Sequence, residues 1–419
     1  MKSFCRIASA LWRESIAKSG PHGLVNVGYL RRRPAPAVEL HRSLWLASLP
    51  GWPRPLVLLI DAMLWLRWTL FGAWRTSWRV VRRRGAAARA ADGVSIVRQA
   101  RRVLGLALRW GVPPAQAYQF GLHVPPCADQ RGAADPALRY IFPAESDAWH
   151  RRLNAEDPGR DRAVALLRDK SALAQFLGQA GVSTVKTLAD WTSGDSPDLA
   201  AWASARLPPG ATAPPGVFFK WRDGHGALDA FAAWQQDGEW AARSIDGRAA
   251  RGTSAVQQLW TALTAHGDVL AQPRLTSHPR LAALAGNDDA VTVRVITRRA
   301  GGQATAVMAI VEVPVGREGL HVLWPVELAD GSVVTTTWDG RPASPPMEPM
   351  GPAVPEPGLR VPDWESLQRD SCRAHQLVGA LALIAWDWVI TPYGAQLLEG
   401  NSGWALAQAQ RLFGPLTVS

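Results

Sequence analysis

Two stretches toward the C-terminal end constrain the fold most. AVTVRVITRR (290–299) and ATAVMAIVEV (304–313) flank Gly301-Gly302, while WDWVIT and QLLEGN flank the turn at 392–394. Both read as apolar runs joined by turn residues, the pattern of β-hairpins. Charge interrupts each of them. Arg294 stands among Val291, Val293, Val295 and Ile296, where a cation must face a polar site or be paired. In LLEGN, side chains two apart point the same way, so Glu399 and Asn401 share a face. If WDWVIT pairs with that strand, Asp387 reaches the same face. Two carboxylates and an amide oxygen form a hard, oxygen-only set suited to Mg²⁺, which takes few protein ligands and completes its shell with water and phosphate oxygens. A hairpin with scattered polar residues has the same spelling, so these residues alone leave both readings open.

The remaining elements alternate. VFFKW (217–221) and DVLAQ (268–272) are short strand patterns, and ALRYIFP (137–143) reads as another. SALAQFLGQAG (171–181) reads as a helix stopped by Gly181, and 365–384 as a second helix. VSTVKTLADW (182–191) is extended, and the Pro-rich stretches 207–216 and 341–362 are loops. Such an order implies α+β or α/β layers rather than a helical bundle. No P-loop, HExxH or GxSxG motif occurs.

Charge is segregated along the chain. Residues 1–110 hold 20 Lys or Arg against Glu14, Glu39, Asp61 and Asp92, a net of +16 within a total of +11, so the remainder carries −5. That asymmetry suggests an acidic partner for the N-terminal region: anionic lipid, nucleic acid or an acidic polymer. Nothing resembles a defined nucleic-acid module, which argues against the second. The region 1–125 reads as helical, and PLVLLIDAMLWLRWTLFGAW (55–74) is its most apolar run. Asp61 and Arg67 interrupt that run, and each would cost roughly 2.5–3.5 kcal/mol near a bilayer centre. Trp65, Trp68, Trp74 and Trp78 interleave with Arg67, Arg75 and Arg79, as an interfacial helix would require. A Trp-rich core helix and a true span remain the alternatives. Residues 1–20 lack a continuous apolar stretch and a small-residue cleavage site, so no secretory signal is expected. Cys5, Cys127 and Cys372 are odd in number and far apart, which fits ordinary thiols in a reducing cytoplasm.

Only five lysines occur (Lys2, Lys18, Lys170, Lys186 and Lys220) among 46 Lys and Arg. A retained lysine can mark a place where a compact ammonium does what a planar guanidinium cannot.

With these residues in view, the stretch from WD through IT and G to LLEGN resembles the metal-binding end of the ATP-grasp superfamily. Its wording is similar to the sugar-transfer-associated ATP-grasp group. Upstream pieces fall in the matching order. LLRDKSALAQFLGQAGVST resembles the segment in which a lysine precedes a helix; VFFKWRDGHGALD resembles the strand-borne lysine followed by a glycine-containing phosphate loop. VLAQPRLTSHP resembles the hinge between the two ATP-binding lobes, and AVTVRVITRR the strand bearing a phosphate-binding arginine. The likeness spans about residues 137–410.

The resemblance implies two α+β lobes clamping ATP, with a mainly helical, basic N-terminal region. The expected organisation is 1–125 for that region, 126–216 for a linker and the first ATP-grasp elements, 217–275 for the lobe with phosphate loop and hinge, and 276–419 for the lobe with the Mg²⁺ site. Asp387, Glu399 and Asn401 are the expected metal ligands, and Lys170, Lys220 and the Gly224-His225-Gly226 loop the expected phosphate contacts. Backbone groups around Ala271 would read adenine. Gln272 stands where the family usually places an acid for the ribose. Arg294 would bind the transferred phosphate, with Arg298 the weaker candidate. His278 and His375 occupy positions where the group often has histidine; a structural role is expected of each. The implied activity is ATP-dependent carboxylate–amine ligation through an acyl phosphate, releasing ADP, in polysaccharide or sugar-metabolite modification. The partners would be a small-molecule or sugar-linked carboxylate and an amine. Apart from the resemblance, the basic, Trp-rich residues 50–84 add the expectation of a cytoplasmic protein peripheral at an anionic membrane surface, the inner face of the cell membrane. The competing expectation is a non-catalytic nucleotide-binding or scaffolding protein at the membrane.

Overall fold

The computed structural model describes residues 27–47, 51–125, 136–154, 157–195, 197–204, 216–223, 230–244, 247–285, 289–315, 320–343 and 354–416. It divides into two compact units, Met1–Arg152 with Ala405–Ser419, and Leu153–Trp404.

The first unit is helical among its described residues, as the sequence pattern implies. Its elements are α1 (Pro36–Ala47), α2 (Arg54–Arg67), a π-helical turn (Trp68–Gly72), α3 (Ala73–Asp92), α4 (Ile96–Trp110), α5 (Pro114–Gln119), α6 (Ser146–Leu153) and a C-terminal helix, Leu406–Phe413. From α2 through α3 the chain runs as one helix, Arg54–Asp92. Gly93, in the left-handed region at φ 69°, ends it, and Ser95 caps α4 by accepting from the Arg98 N–H. The two helices lock together through polar contacts within the packing. Trp68 donates to the Ala107 carbonyl at 2.7 Å, and the buried Gln99 amide donates to the Gly85 and Val94 carbonyls. Tyr29, Val57, Leu106, Phe120, Tyr140 and Phe142 lie in the core.

Residues 137–143 do not form the expected strand. They begin in a 3₁₀ turn, Pro136–Arg139, and Tyr140 then stacks on Phe120 with ring centroids 4.6 Å apart. The apolar run is a core segment among helices, and among the described residues of this unit no strand offers an edge for it to pair with.

The second unit contains α7 (Arg160–Arg168), α8 (Lys170–Gln179) and two antiparallel sheets. The larger sheet has the order β1-β6-β2-β3-β4-β5, with β1 Ala189–Trp191, β2 Gly216–Trp221, β3 Phe231–Gln236, β4 Glu239–Ser244, β5 Ala249–Arg251 and β6 Val269–Pro273. The unit also has α9 (Leu199–Ser204). On one face of the sheet, Val256, Trp260 and Leu263 of α10 (Thr253–Thr264) pack with Val217, Phe219 and Phe231. After α11 (Pro279–Ala285) come β7 (Thr292–Ala300), β8 (Gln303–Val315) and β9 (Leu320–Pro325); α12 (Trp364–Val378) precedes β10 (Leu383–Thr391) and β11 (Gly394–Asn401). These five strands form the second sheet, in the order β11-β10-β7-β8-β9.

Both expected hairpins are present. Ala300 pairs with Gln303 across Gly301 and Gly302, whose positive φ values of 59° and 84° suit a two-residue turn. The helix read over 365–384 is shorter: α12 ends at Val378, and Leu383 and Ile384 already belong to β10. Gly379 at φ 63° donates its N–H to the His375 carbonyl and stops the helix. A strand buried on both faces is apolar throughout, so its first residues look like more helix.

Candidate active site

The site is built from one cross-strand row. Asp387, mid-way along β10, pairs directly with Glu399 of β11 and with Arg294 of β7. Directly opposed residues of antiparallel strands send their side chains to the same face, so Glu399, Asp387 and Arg294 stand side by side. A register shift in the β10–β11 pair leaves Leu398 without a partner, because Asp387 pairs with Glu399 and Trp388 with Leu397.

Arg294 grips Asp387 through two hydrogen bonds, Nε to Oδ1 at 2.7 Å and Nη2 to Oδ2 at 3.0 Å. Its third nitrogen, Nη1, lies 2.9 Å from Glu312 Oε1. Sequence reading missed Glu312. It pairs with Thr292, two residues before Arg294, and therefore shares Arg294's face of the sheet. The signal was available, since Glu312 interrupts AIVEVPV just as Arg294 interrupts VTVRVIT.

Asn401 ties the row together. Its Nδ2 donates to Asp387 Oδ2 at 2.9 Å and to Glu399 Oε1 at 3.2 Å. Lys170 Nζ approaches Glu399 Oε2 from the other side, at 3.7 Å. Beside them Ser402 and Gly403 help to line an open depression. Gly400 is required by close packing. A Cβ there would lie 2.6 Å from the Trp386 ring and 2.7 Å from Leu167 of α7.

The two lysines are delivered by linked elements. Asp169 caps α8, accepting from the Ser171 and Ala172 N–H groups at 3.1 and 2.9 Å, which fixes Lys170 as the first helical residue. Arg222, just past β2, holds the same carboxylate through Nε at 3.1 Å and Nη2 at 2.7 Å. Its carbonyl also accepts the Lys170 N–H at 3.4 Å. Lys220 lies two residues before Arg222, on β2 opposite Leu270.

Electrostatics follow from this crowding. Burial lowers the Lys220 pKa to about 8, with Lys170 adding to the effect and Glu399 and Asp387 opposing it. Glu312 is raised to about 7, chiefly by burial, against the pull of Arg294. Burial also raises Asp387, despite Arg294. Glu399 moves the other way: burial would raise it, but Lys220 and Lys170 carry it below the usual carboxylate range. Burial opposes the Arg294 charge, and Asp387 then Glu312 more than restore it.

The cluster thus unites six of the expected residues (Asp387, Glu399, Asn401, Arg294, Lys170 and Lys220) and adds Glu312. Gly224, His225 and Gly226 lie outside the described residues. Ala271 and Gln272 are buried in β6 between β1 and β2, and the Ala271 carbonyl accepts the Leu188 N–H at 2.8 Å. No hydrogen bond or ion pair joins either to the acidic row among the described residues. Arg298 pairs with Leu383 further along β7. His375 is a core residue, its ring bonded to Thr297 Oγ1 at 2.7 Å and the Leu381 carbonyl at 2.9 Å. His278 sits at the start of α11, where its Nδ1 accepts the Arg280 N–H.

Among the described residues, no three His, Cys, Asp or Glu side chains are grouped to hold a metal by themselves. The donor set nonetheless fits a divalent cation that brings its own oxygen ligands. Asp387 and Glu312 are carboxylates whose charge burial leaves incompletely compensated, and the buried Glu312 Oε1 receives no aligned hydrogen bond. All the donors are oxygens or an amide, which suits Mg²⁺.

No family model matches the chain, and no curated protein matches it. Among solved structures, the ATP-grasp ligase PsnB complexed with minimal precursor, Mg and ADP is 15% identical, over 65% of this chain and 63% of that chain, with a TM-score of 0.34. The D-alanine–D-alanine ligase from Coxiella burnetii is 9% identical over 57% of this chain and 47% of that chain, at 0.32. The biotin carboxylase from Campylobacter jejuni is 12% identical over 61% and 48%, at 0.36. The chain spans about half the length of the last two.

Proposed function

We propose that the Leu153–Trp404 unit is an ATP-grasp catalytic unit that uses ATP and Mg²⁺ to join a carboxylate to an amine. The observation that carries this reading is the convergence of Glu399, Asp387 and Arg294 in one row with Lys170 and Lys220 beside it. Three cations and three carboxylates without a nucleophile-and-base pair suit phosphoryl transfer, in which positioning and charge neutralisation supply most of the rate.

In this reading the substrate carboxylate attacks the γ-phosphorus of ATP, giving an acyl phosphate and ADP. The amine then displaces inorganic phosphate and loses a proton, leaving an amide. Asp387, Glu399 and Asn401 would hold Mg²⁺, which would offset the negative charge of the phosphates. Lys170 and Lys220 hold phosphate oxygens as compact point charges. Arg294 exchanges part of its hold on the carboxylates for the transferred phosphoryl group, while Glu312 keeps its guanidinium aligned. The setting in polysaccharide or sugar-metabolite modification, with a sugar-linked acid or amine, is supported by the resemblance of the WD–IT–G–LLEGN stretch alone.

The second reading, a nucleotide-binding protein without turnover, draws on Gln272 standing where an acid would contact ribose. One experiment separates them: ADP release with Mg·ATP, screened over amino acids, uronic acids and amino sugars. Release that depends on Mg²⁺ and on both substrates, and that Asp387→Asn and Glu399→Gln abolish, is the expected result. Full activity in either variant would sink the metal assignment. Tight Mg·ATP binding without turnover across the screen would favour the second reading, and absence of binding would defeat both.

A further inference from the structure

The long helix Arg54–Asp92 carries a feature that nucleotide chemistry leaves unused. Leu59, Met63, Leu66, Leu70, Trp74 and Trp78 are each more than half exposed, Trp78 at 64%. Their spacing is 4, 3, 4, 4 and 4 residues. On an uninterrupted α-helix, at about 100° per residue, Trp78 would stand about 100° round from Leu59. The π turn at Trp68–Gly72 takes up one extra residue, and so about 100° of rotation. It returns Trp74 and Trp78 to the line of Leu59 through Leu70. The result is one straight apolar stripe facing away from the core.

The stripe borders exposed Arg67, Arg75 and Arg79, and beyond it Arg82, Arg83 and Arg84 are exposed as well. Only two acids occur between residues 54 and 92, and neither opposes this charge. Asp61 is fully buried on the inner face, and Asp92 accepts from His123 Nε2 at 2.7 Å. The outer face is therefore apolar and cationic, with no exposed acid along the stripe.

We propose that this face docks the protein on an anionic lipid surface. The apolar stripe would lie in the boundary between headgroups and acyl chains, with the arginines on lipid phosphates. Charge complementarity selects that occupant. A second copy of the chain would bring the same arginines against themselves. A span across the bilayer is disfavoured by the helix's own packing. Trp68 and Gly85 hold it to α4, which carries Arg98, Arg101, Arg102 and Arg109 and would have to enter with it.

The test is sedimentation of the full-length chain with vesicles of phosphatidylcholine, with and without phosphatidylglycerol, at low and high salt. Binding about tenfold or more tighter to the anionic vesicles, and weakened by salt, is expected. Combined Leu70→Ser, Trp74→Ser and Trp78→Ser should weaken it about tenfold or more, as should Arg82→Gln, Arg83→Gln and Arg84→Gln together. Brominated lipid should quench the wild-type tryptophan emission, less so in Trp74→Phe/Trp78→Phe. That quenching keeps the question answerable if the serine variant fails to fold. The proposal is overturned by equal affinity for neutral vesicles, by no vesicle binding, or by variants that bind undiminished. Dimers that dissociate in the serine variant without vesicle binding would assign the face to a second copy. Salt-sensitive binding to duplex DNA or RNA in preference to vesicles would assign it to nucleic acid.

Discussion

Arg294 and Asp387 face each other at a directly paired position of β7 and β10, and the guanidinium holds both carboxylate oxygens. The bidentate pair fixes the plane of the arginine, leaving Nη1 to Glu312. Asp387 and Glu312 both depend on this one guanidinium, while Lys170 and Lys220 offset Glu399.

Removing that cation should therefore cost more than activity. Arg294→Met is expected to destabilise the fold by about 3–5 kcal/mol, since it strands buried carboxylates. Adding Glu312→Gln should recover part of the loss, because one of the stranded charges goes. Urea denaturation of the two single variants and the double variant, compared as a cycle, measures it. Purely additive losses would mean that Glu312 and Arg294 do not act as a unit.

Nucleotide affinity should depend on pH through Lys220. With its pKa at about 8, the free protein loses this charge as pH rises through that value. A bound phosphate favours the charged form, so binding weakens above about pH 8. Calorimetric titration with Mg·ATP across that range should show the decline, and Lys220→Met should bind weakly with a flatter profile. An unchanged slope in the variant would place the titration elsewhere.

Gly400 and Gly403 offer a matched comparison. A Cβ at Gly400 would press on Trp386 and Leu167, whereas one at Gly403 meets nothing within 4 Å. Gly400→Ala should lose about 1–3 kcal/mol of stability, and Gly403→Ala should lose little. Thermal melting reads both.

Asp61 predicts an inverted pH profile for the helical unit. It is fully buried, neither carboxylate oxygen has a hydrogen-bond partner among the described residues, and burial raises its pKa from 3.8 to about 7. The folded form therefore holds a proton that the unfolded chain has released between those values. The contribution of Asp61 to stability is therefore fully present below about pH 4 and is lost as pH rises through about 7, by something on the order of a few kcal/mol. Asp61→Asn should flatten that fall and raise the melting temperature above neutrality. A fall of the same size in the variant would exclude Asp61 as its source.

Much of the candidate site is legible in the sequence, for a physical reason. A charge within an apolar strand pattern has few places to go, so Arg294, Asp387 and Glu399 stand out, with Asn401 on the face of Glu399, although a hairpin with scattered polar residues has the same spelling. Glu312 obeys the same rule, yet it needs its strand register before it can be attached to Arg294. The Asp169–Arg222 clamp is not readable, because 53 residues separate two ordinary surface types that only the packing of α8 against the end of β2 brings together. Short apolar runs and element ends are the least legible. Apolar 137–143 has the spelling of a strand but lines the core, while the residues after Gly379 have the spelling of more helix but lead into a buried strand.

The unpaired Leu398 has a consequence for how this chain can vary in length. It is the extra residue of a bulge: without it, Trp388 opposite Leu397 and Asp387 opposite Glu399 would run on as an unbroken ladder. Deleting Leu398 should therefore keep the acid opposite Asp387 and remove only the local bend. A single-residue insertion or deletion elsewhere in β7, β10 or β11 would instead turn part of its strand to the wrong face unless a new bulge absorbed it. Extra length at the Gly301–Gly302 turn, remote from the row along the strand, would leave the register of all three strands untouched.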